Sequence, residues 1–137
     1  MPVFQQEFVL LFHRMPEEDD RQDHFDLMVQ LPGQPDSLAT WAVAVTVDLK
    51  SDSDFQVSAI RLDDHRAEYL EYEGPISKDR GSVTRVESGR ASWDSVVDGS
   101  FQLRLESGET WEVIESGQRQ ARDDPSVVLR FHRQSEP

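Results

Sequence analysis

His24 and Asp26 stand two apart in the run His24-Phe25-Asp26-Leu27-Met28-Val29. In a strand, residues two apart face the same way with Cα atoms about 6.5 to 7 Å apart, so imidazole and carboxylate can converge on one ion. That pairing suits zinc, manganese or iron, with zinc–ligand distances of about 2.0 to 2.2 Å. His13, at the end of the preceding apolar run, is the nearest third ligand. The plainer reading of His24 and Asp26 is a structural hydrogen-bonded pair. A second pair, His65 and Tyr69, lies four residues apart. Histidine can act as acid or base near neutral pH and a tyrosine hydroxyl can donate to a phosphate oxygen. Their plainer reading is a loop histidine and a tyrosine at the edge of the core.

These residues need a scaffold, and the pattern around them is that of strands. Apolar and β-branched runs recur at short spacing over Phe4 to His13, His24 to Leu31, Leu38 to Leu49, Phe55 to Leu62, Glu68 to Glu73, Ser82 to Val86, Phe101 to Leu105, Glu109 to Ile114 and Ser126 to His132. Turn signals fall between them at Pro32-Gly33, Gly74-Pro75, Ser88-Gly89, Asp98-Gly99, Ser107-Gly108 and Ser116-Gly117. Short strands punctuated in this way predict an all-β domain, a small closed or partly open β-barrel. Short helical turns complete it, one of them over Ser92 to Val97. Polar loops are expected at Arg14 to Asp23, Asp48 to Asp54 and Gly117 to Pro125, with fraying from Gln134 to Pro137.

The 137 residues fit a single domain spanning 1–137, large enough to bury about two thirds of the surface of the unfolded chain. With 27 acidic against 14 basic residues the formal charge is −13. That balance opposes non-specific attraction to a phosphate backbone, so any grip on nucleic acid must come from a local cationic patch. The absence of cysteine removes disulfides, thiolate metal sites and cysteine nucleophiles. No run approaches membrane-spanning length and none has the form of a signal peptide, so the expectation is a cytoplasmic protein with no membrane partner. His132, alone on the terminal strand, reads as a packing or surface residue.

Taken in order, these pieces resemble the 3′-phosphoesterase domain of bacterial DNA ligase D. The run His24 to Val29 is similar to that family's His-Tyr-Asp-Phe-Arg-Leu motif, and Leu38-Ala39-Thr40-Trp41-Ala42-Val43 to its Leu-Lys-Ser-Trp-Ala-Val segment. Arg61-Leu62-Asp63-Asp64-His65, Tyr69 and Glu73-Gly74 follow its Arg-Val-Glu-Asp-His, Tyr and Glu-Gly pattern. Gly81-Ser82-Val83 and Gly89 to Trp93 come next in the same order, so the likeness covers about the first two thirds of the chain. It implies that His13, His24 and Asp26 hold a divalent transition metal, manganese first and zinc as the alternative. It also implies that His65 and Tyr69 contact the scissile phosphate. The implied activity is removal of a 3′-phosphate or a terminal ribonucleotide from nucleic-acid ends during break repair, with a DNA 3′ end or a small phosphate ester as substrate and repair proteins as partners.

Three positions depart from the family's pattern. Met28 stands where the motif carries a phosphate-binding Arg, Val45 where it has Lys, and Val57 where an Arg begins the strand leading to the histidine. A lost charge-assisted contact to phosphate costs about 1.5 to 3 kcal/mol, around ten- to a hundredfold in binding or rate. Arg61 and Arg66, flanking His65, and Arg14, beside His13, are the candidate replacements. The acidic run Glu17, Glu18, Asp19, Asp20 and Asp23 should enrich divalent cations near the site and repel a polyanion. Without the basic arm and the fused polymerase and ligase domains of multidomain relatives, the expectation is a stand-alone module. Three functions compete: a metal-dependent phosphoesterase-like enzyme, a non-catalytic metal-binding β-barrel interaction module, and a structural barrel whose His and Asp are merely hydrogen-bonded.

Overall fold

Nine antiparallel strands make up the computed structural model, which describes residues 4–18, 22–45, 49, 54–76, 80–94, 100–116 and 126–134. They are β1 (Gln6–Arg14), β2 (His24–Leu31), β3 (Gln34–Val43), β4 (Phe55–Arg66), β5 (Gly74–Pro75), β6 (Ser82–Asp94), β7 (Ser100–Leu105), β8 (Thr110–Ser116) and β9 (Ser126–Gln134). The order β1-β2-β3-β4-β9-β8-β7-β6 is closed by pairing of β6 with β1, giving an eight-stranded barrel, and the two-residue β5 adds to β6. Closure removes the free edges that an open sheet would expose. No helix among the described residues is long and apolar enough to cross a membrane.

Alternation fills the barrel interior. Phe8 and Leu10 of β1, Leu27 and Val29 of β2, and Ala39, Trp41 and Val43 of β3 meet Phe101, Leu103, Trp111, Leu129 and Phe131 from the far wall. The Trp41 and Phe101 rings stack at 5.1 Å, and those of Phe55 and Phe131 at 4.6 Å. On β1 and β2 the outward residues are buried too. Val9, Leu11, Met28, Leu38 and Val83 form a second apolar cluster on the outside of the wall, covered by Tyr69, Leu70 and Ile76. Four consecutive buried residues on each strand, Phe8 to Leu11 and Asp26 to Val29, are the signature of a sheet covered on both faces.

Several expected elements differ. The run Glu68 to Glu73 is not a strand: Ala67–Leu70 forms a 3₁₀ turn, whose Glu68 carbonyl accepts the N–H groups of Glu71 and Tyr72. A turn here drops Tyr69 and Leu70 together onto the outer cluster, which a strand with alternating faces could not do. Ser88-Gly89 is not a turn, because β6 runs unbroken through it. A Cβ at Gly89 would lie 2.2 Å from the Arg104 carbonyl oxygen and 3.0 Å from the Phe8 ring, so glycine serves close approach of β6 to its neighbours. Gly74-Pro75 is a short strand, β3 ends at Val43, and Ser92 to Asp94 belong to β6. The expected loop over Gly117 to Pro125 and the turn at Asp98-Gly99 lie outside the described residues, as do 95–97, Asp19, Asp20, 50–53 and 135–137.

Two bulges set which side chains face outward on the site's side of the barrel. Leu38 pairs with His65 and Thr40 with Leu62, so β4 carries one extra residue over this interval. Upstream, Val57, Ala59 and Arg61 point inward, and the extra residue flips the parity so that His65 shares the outer face with Leu62. In β6 the register slips between its pairings with Leu10 and Leu11, leaving Val86 as the extra residue and turning Val83 onto the outer cluster.

Candidate metal centre

The hairpin of β1 and β2 assembles the three expected ligands. His13 pairs directly with His24, and Asp26 lies two residues along β2 on the same face. One donor atom from each of His13, His24 and Asp26 lies within 4.8 Å of the others. Asp26 Oδ2 is 2.9 Å from His13 Nδ1, and Oδ1 is 3.1 Å from His24 Nε2. Donor atoms at tetrahedral positions about 2.0 to 2.1 Å from one ion would stand about 3.3 Å apart, near each His–Asp separation, the two contacts being made through different Asp26 oxygens.

Hydrogen bonding fixes what these groups offer. His13 Nε2–H donates to the Arg80 carbonyl at 2.7 Å, and His24 Nδ1–H to the Gln22 carbonyl at 3.1 Å. A carbonyl oxygen only accepts, so each neutral imidazole turns its lone pair toward the Asp26 carboxylate. Lone pairs facing a carboxylate need positive charge between them, supplied by protons on the rings or by a cation. Backbone carbonyls that hold the remote ring nitrogen of a histidine are also the usual outer support of metal-binding imidazoles. Asp26 is 4% exposed, and its Oδ1 has no hydrogen-bond partner among the described residues despite its nearness to His24. Burial alone would push the Asp26 carboxyl up, but the hydrogen bond with His13 and charge interactions with His24 and His13 outweigh it and hold the group below its ordinary value. A buried, ionised carboxylate with one oxygen lacking a hydrogen bond, beside two oriented imidazoles, fits a divalent ion of the zinc or manganese kind.

The triad forms one wall of a pocket of about 170 Å³ that Met28, Leu62, His65, Tyr69, Ile76, Arg80 and Val83 also line. Five or six water volumes of about 30 Å³ would fill it, enough for an ion and a phosphoryl-sized group. Both residues of the second expected pair are therefore in the same pocket as the first. His65 Nδ1–H donates to the Asp63 carbonyl at 2.8 Å, which leaves Nε2 as its reactive nitrogen. The Tyr69 ring meets the His65 ring edge-on at 5.7 Å.

The candidate cations fall elsewhere. Arg61 points into the barrel, 4.6 Å over the Trp41 ring and 3.4 Å from Glu115, because the β4 bulge lies after it. Arg66 pairs with Glu68 at 2.7 Å on the rim, and Arg14 lines a separate open depression with Val45, Glu17 and Asp23. None of the three lines the triad's pocket. Arg80 does, and sequence reasoning missed it: nothing in the residues before Gly81 signals a site. A Cβ at Gly81, where φ is +91°, would lie 2.0 Å from the Arg14 carbonyl oxygen. That close pass against β1 lets the carbonyl of residue 80 reach His13.

Of the three departures, Met28 alone lines the pocket. Val57 faces the barrel interior and Val45 is exposed beside Arg14. Met28 is itself 1% exposed within the outer cluster. His132 lies on the exposed surface, 3.2 Å from Asp54, away from the triad's pocket. Compared with known proteins, the chain matches no family model and no curated sequence.

Proposed function

We propose that this protein is a metal-dependent phosphoesterase-like enzyme acting on a phosphate monoester or diester at a nucleic-acid 3′ end or on a smaller phosphate ester. The observation that carries this reading is one pocket that joins the His13, His24 and Asp26 donors to His65 and Tyr69. The ordered likeness to the ligase D phosphoesterase domain adds the reaction class and a role in DNA repair; a cytoplasmic setting is the remaining part of the proposal. A bound manganese or zinc ion would supply a Lewis acid for a phosphoryl oxygen and lower the pKa of a water.

The chain's own groups then have separate tasks. Asp26 and the two carbonyl-anchored imidazoles hold the cation in place. His65, its Nδ1–H tied to Asp63, presents Nε2 for donation to an oxygen of the ester or its leaving group. The Tyr69 hydroxyl is a neutral donor for a non-bridging oxygen. Arg80 is the cation best placed to take over from Met28. The non-catalytic alternative is favoured by Met28 itself, an apolar residue lining the pocket at the family's arginine position.

Metal analysis of the purified protein, followed by manganese-supported hydrolysis of 3′-phosphorylated DNA and of a 3′-nucleotide, tests the proposal. The expected result is bound metal and turnover, with His65→Ala lowering turnover about a hundredfold or more while metal content is kept. Bound metal without turnover would favour the interaction module, and a protein that takes up no metal would sink both readings.

A further inference from the structure

A second depression, about 360 Å³, adjoins the metal pocket and shares Tyr69, Ile76 and Arg80 with it. Tyr72, Pro75, Arg66 and Glu68 complete its lining. Three rings run from one cavity into the other: His65 meets Tyr69 edge-on at 5.7 Å, and Tyr69 meets Tyr72 edge-on at 6.1 Å. Tyr72 is held at both ends, by that ring contact and by donation of its hydroxyl to the Pro75 carbonyl, yet it remains 39% exposed. A rigid, exposed aromatic ring beside a phosphate-sized pocket is a stacking platform.

The charge of the depression is also unlike that of the chain. Among the described residues two guanidinium groups, Arg66 and Arg80, line it with one carboxylate, Glu68, whereas the whole chain carries −13. Its size is that of one ring system with a sugar, not of a strand. The chain's net charge of −13 disfavours a long polyanion beyond the first unit.

We infer that the Tyr72 depression is the binding subsite for the nucleoside of a single nucleotide whose phosphate enters the metal pocket. The inference rests on the phosphoesterase-like reading and adds the part of the substrate beyond its phosphate. The base lies on Tyr72, and Arg80, at the junction of the two cavities, serves the phosphate.

Calorimetric titration of the full chain in manganese, with adenosine 3′-methylenephosphonate and with methylphosphonate as non-hydrolysable probes, tests it. The nucleoside phosphonate should bind at least about tenfold more tightly. Tyr72→Ala should weaken that probe about tenfold and leave methylphosphonate unchanged, whereas Tyr72→Phe keeps the ring and should retain the preference. Equal affinity for the two probes, or equal weakening of both by Tyr72→Ala, would overturn the subsite and leave the phosphoesterase-like reading standing. Binding of neither probe would overturn both.

Discussion

The two faces of the β1–β2 wall carry out opposite tasks with the same alternation. Inward, Phe8, Leu10, Leu27 and Val29 join a closed apolar interior in which burial is the whole contribution. Outward, Val9, Leu11 and Met28 begin as a second apolar layer, but His13, His24 and Asp26 end it in a polar pocket. The inner face holds the barrel together, while the outer face trades buried apolar surface for a buried carboxylate and two aligned imidazoles. A protein that uses its outer wall this way must cover it, and the segment from Ala67 to Ile76 does so.

The sharpest way to separate the faces is to damage them one at a time. Trp111→Ala, at a fully buried interior position, should destabilise the barrel by about 3 to 5 kcal/mol in denaturant unfolding, with metal affinity per folded molecule unchanged. Leu38→Ala acts on the outer layer, where Leu38 is fully buried and pairs with His65. It should cost about 2 kcal/mol, at the lower end for such a deletion because the covering 3₁₀ turn can settle into the space, and should loosen His65 as read by amide exchange across β4. If the two deletions destabilise equally and neither perturbs β4, the division into a structural and a functional face is wrong.

Asp26→Asn should destabilise the metal-free protein modestly at neutral pH, by about 1 kcal/mol, because it removes a carboxylate whose ionised form is favoured in the fold by its interactions with His13 and His24. The acid limb should differ. The folded carboxyl lies below its ordinary value, so Asp26 contributes stability above about pH 4 that is lost as pH falls through the lower folded value, a loss absent from the variant. The smallest effect belongs to Asp54, which is exposed on the far side of the barrel. Its carboxyl is lowered by the Arg133 backbone N–H at 3.0 Å and then by His132. Asp54→Asn should lower Tm slightly at neutral pH, and the difference should vanish on acidification below the ordinary carboxylate range.

Much of this arrangement is legible in the sequence because it depends on period. The alternation through His24 to Val29 predicts both the strand β2 and the shared face of His24 and Asp26, and the turn-punctuated runs predict a barrel. What escapes is what breaks the period. Arg61 follows the inward alternation from Phe55, but the β4 bulge after it turns His65 outward, so counting by twos assigns His65 the wrong face. The Ala67–Leu70 turn arises from the need to cover an outer apolar layer, which no local pattern announces. Arg80 arrives beside the site through a close pass at Gly81 that is a property of the folded chain alone. Reading Val57 as a lost phosphate contact fails for the same reason, since only the register shows that it faces the interior.

The pocket also changes the most obvious repair experiment. Met28→Arg would place a guanidinium where a 1% exposed side chain packs against Val9, Leu11 and Leu38, so instability could mask any gain in phosphate binding. Arg80→Ala removes a cation from an exposed position, and its effect on phosphate affinity is the cleaner measure.

Ion binding by His13, His24 and Asp26 is what separates a metal site from a hydrogen-bonded cluster. Titration of the metal-free protein with manganese or zinc, compared with Asp26→Asn, His24→Ala and His65→Ala, tests it most directly. The wild type and His65→Ala should each bind one divalent ion per chain, and both triad variants should lose it. A wild-type protein that takes up no ion, or triad variants that bind as the wild type does, would contradict the metal site.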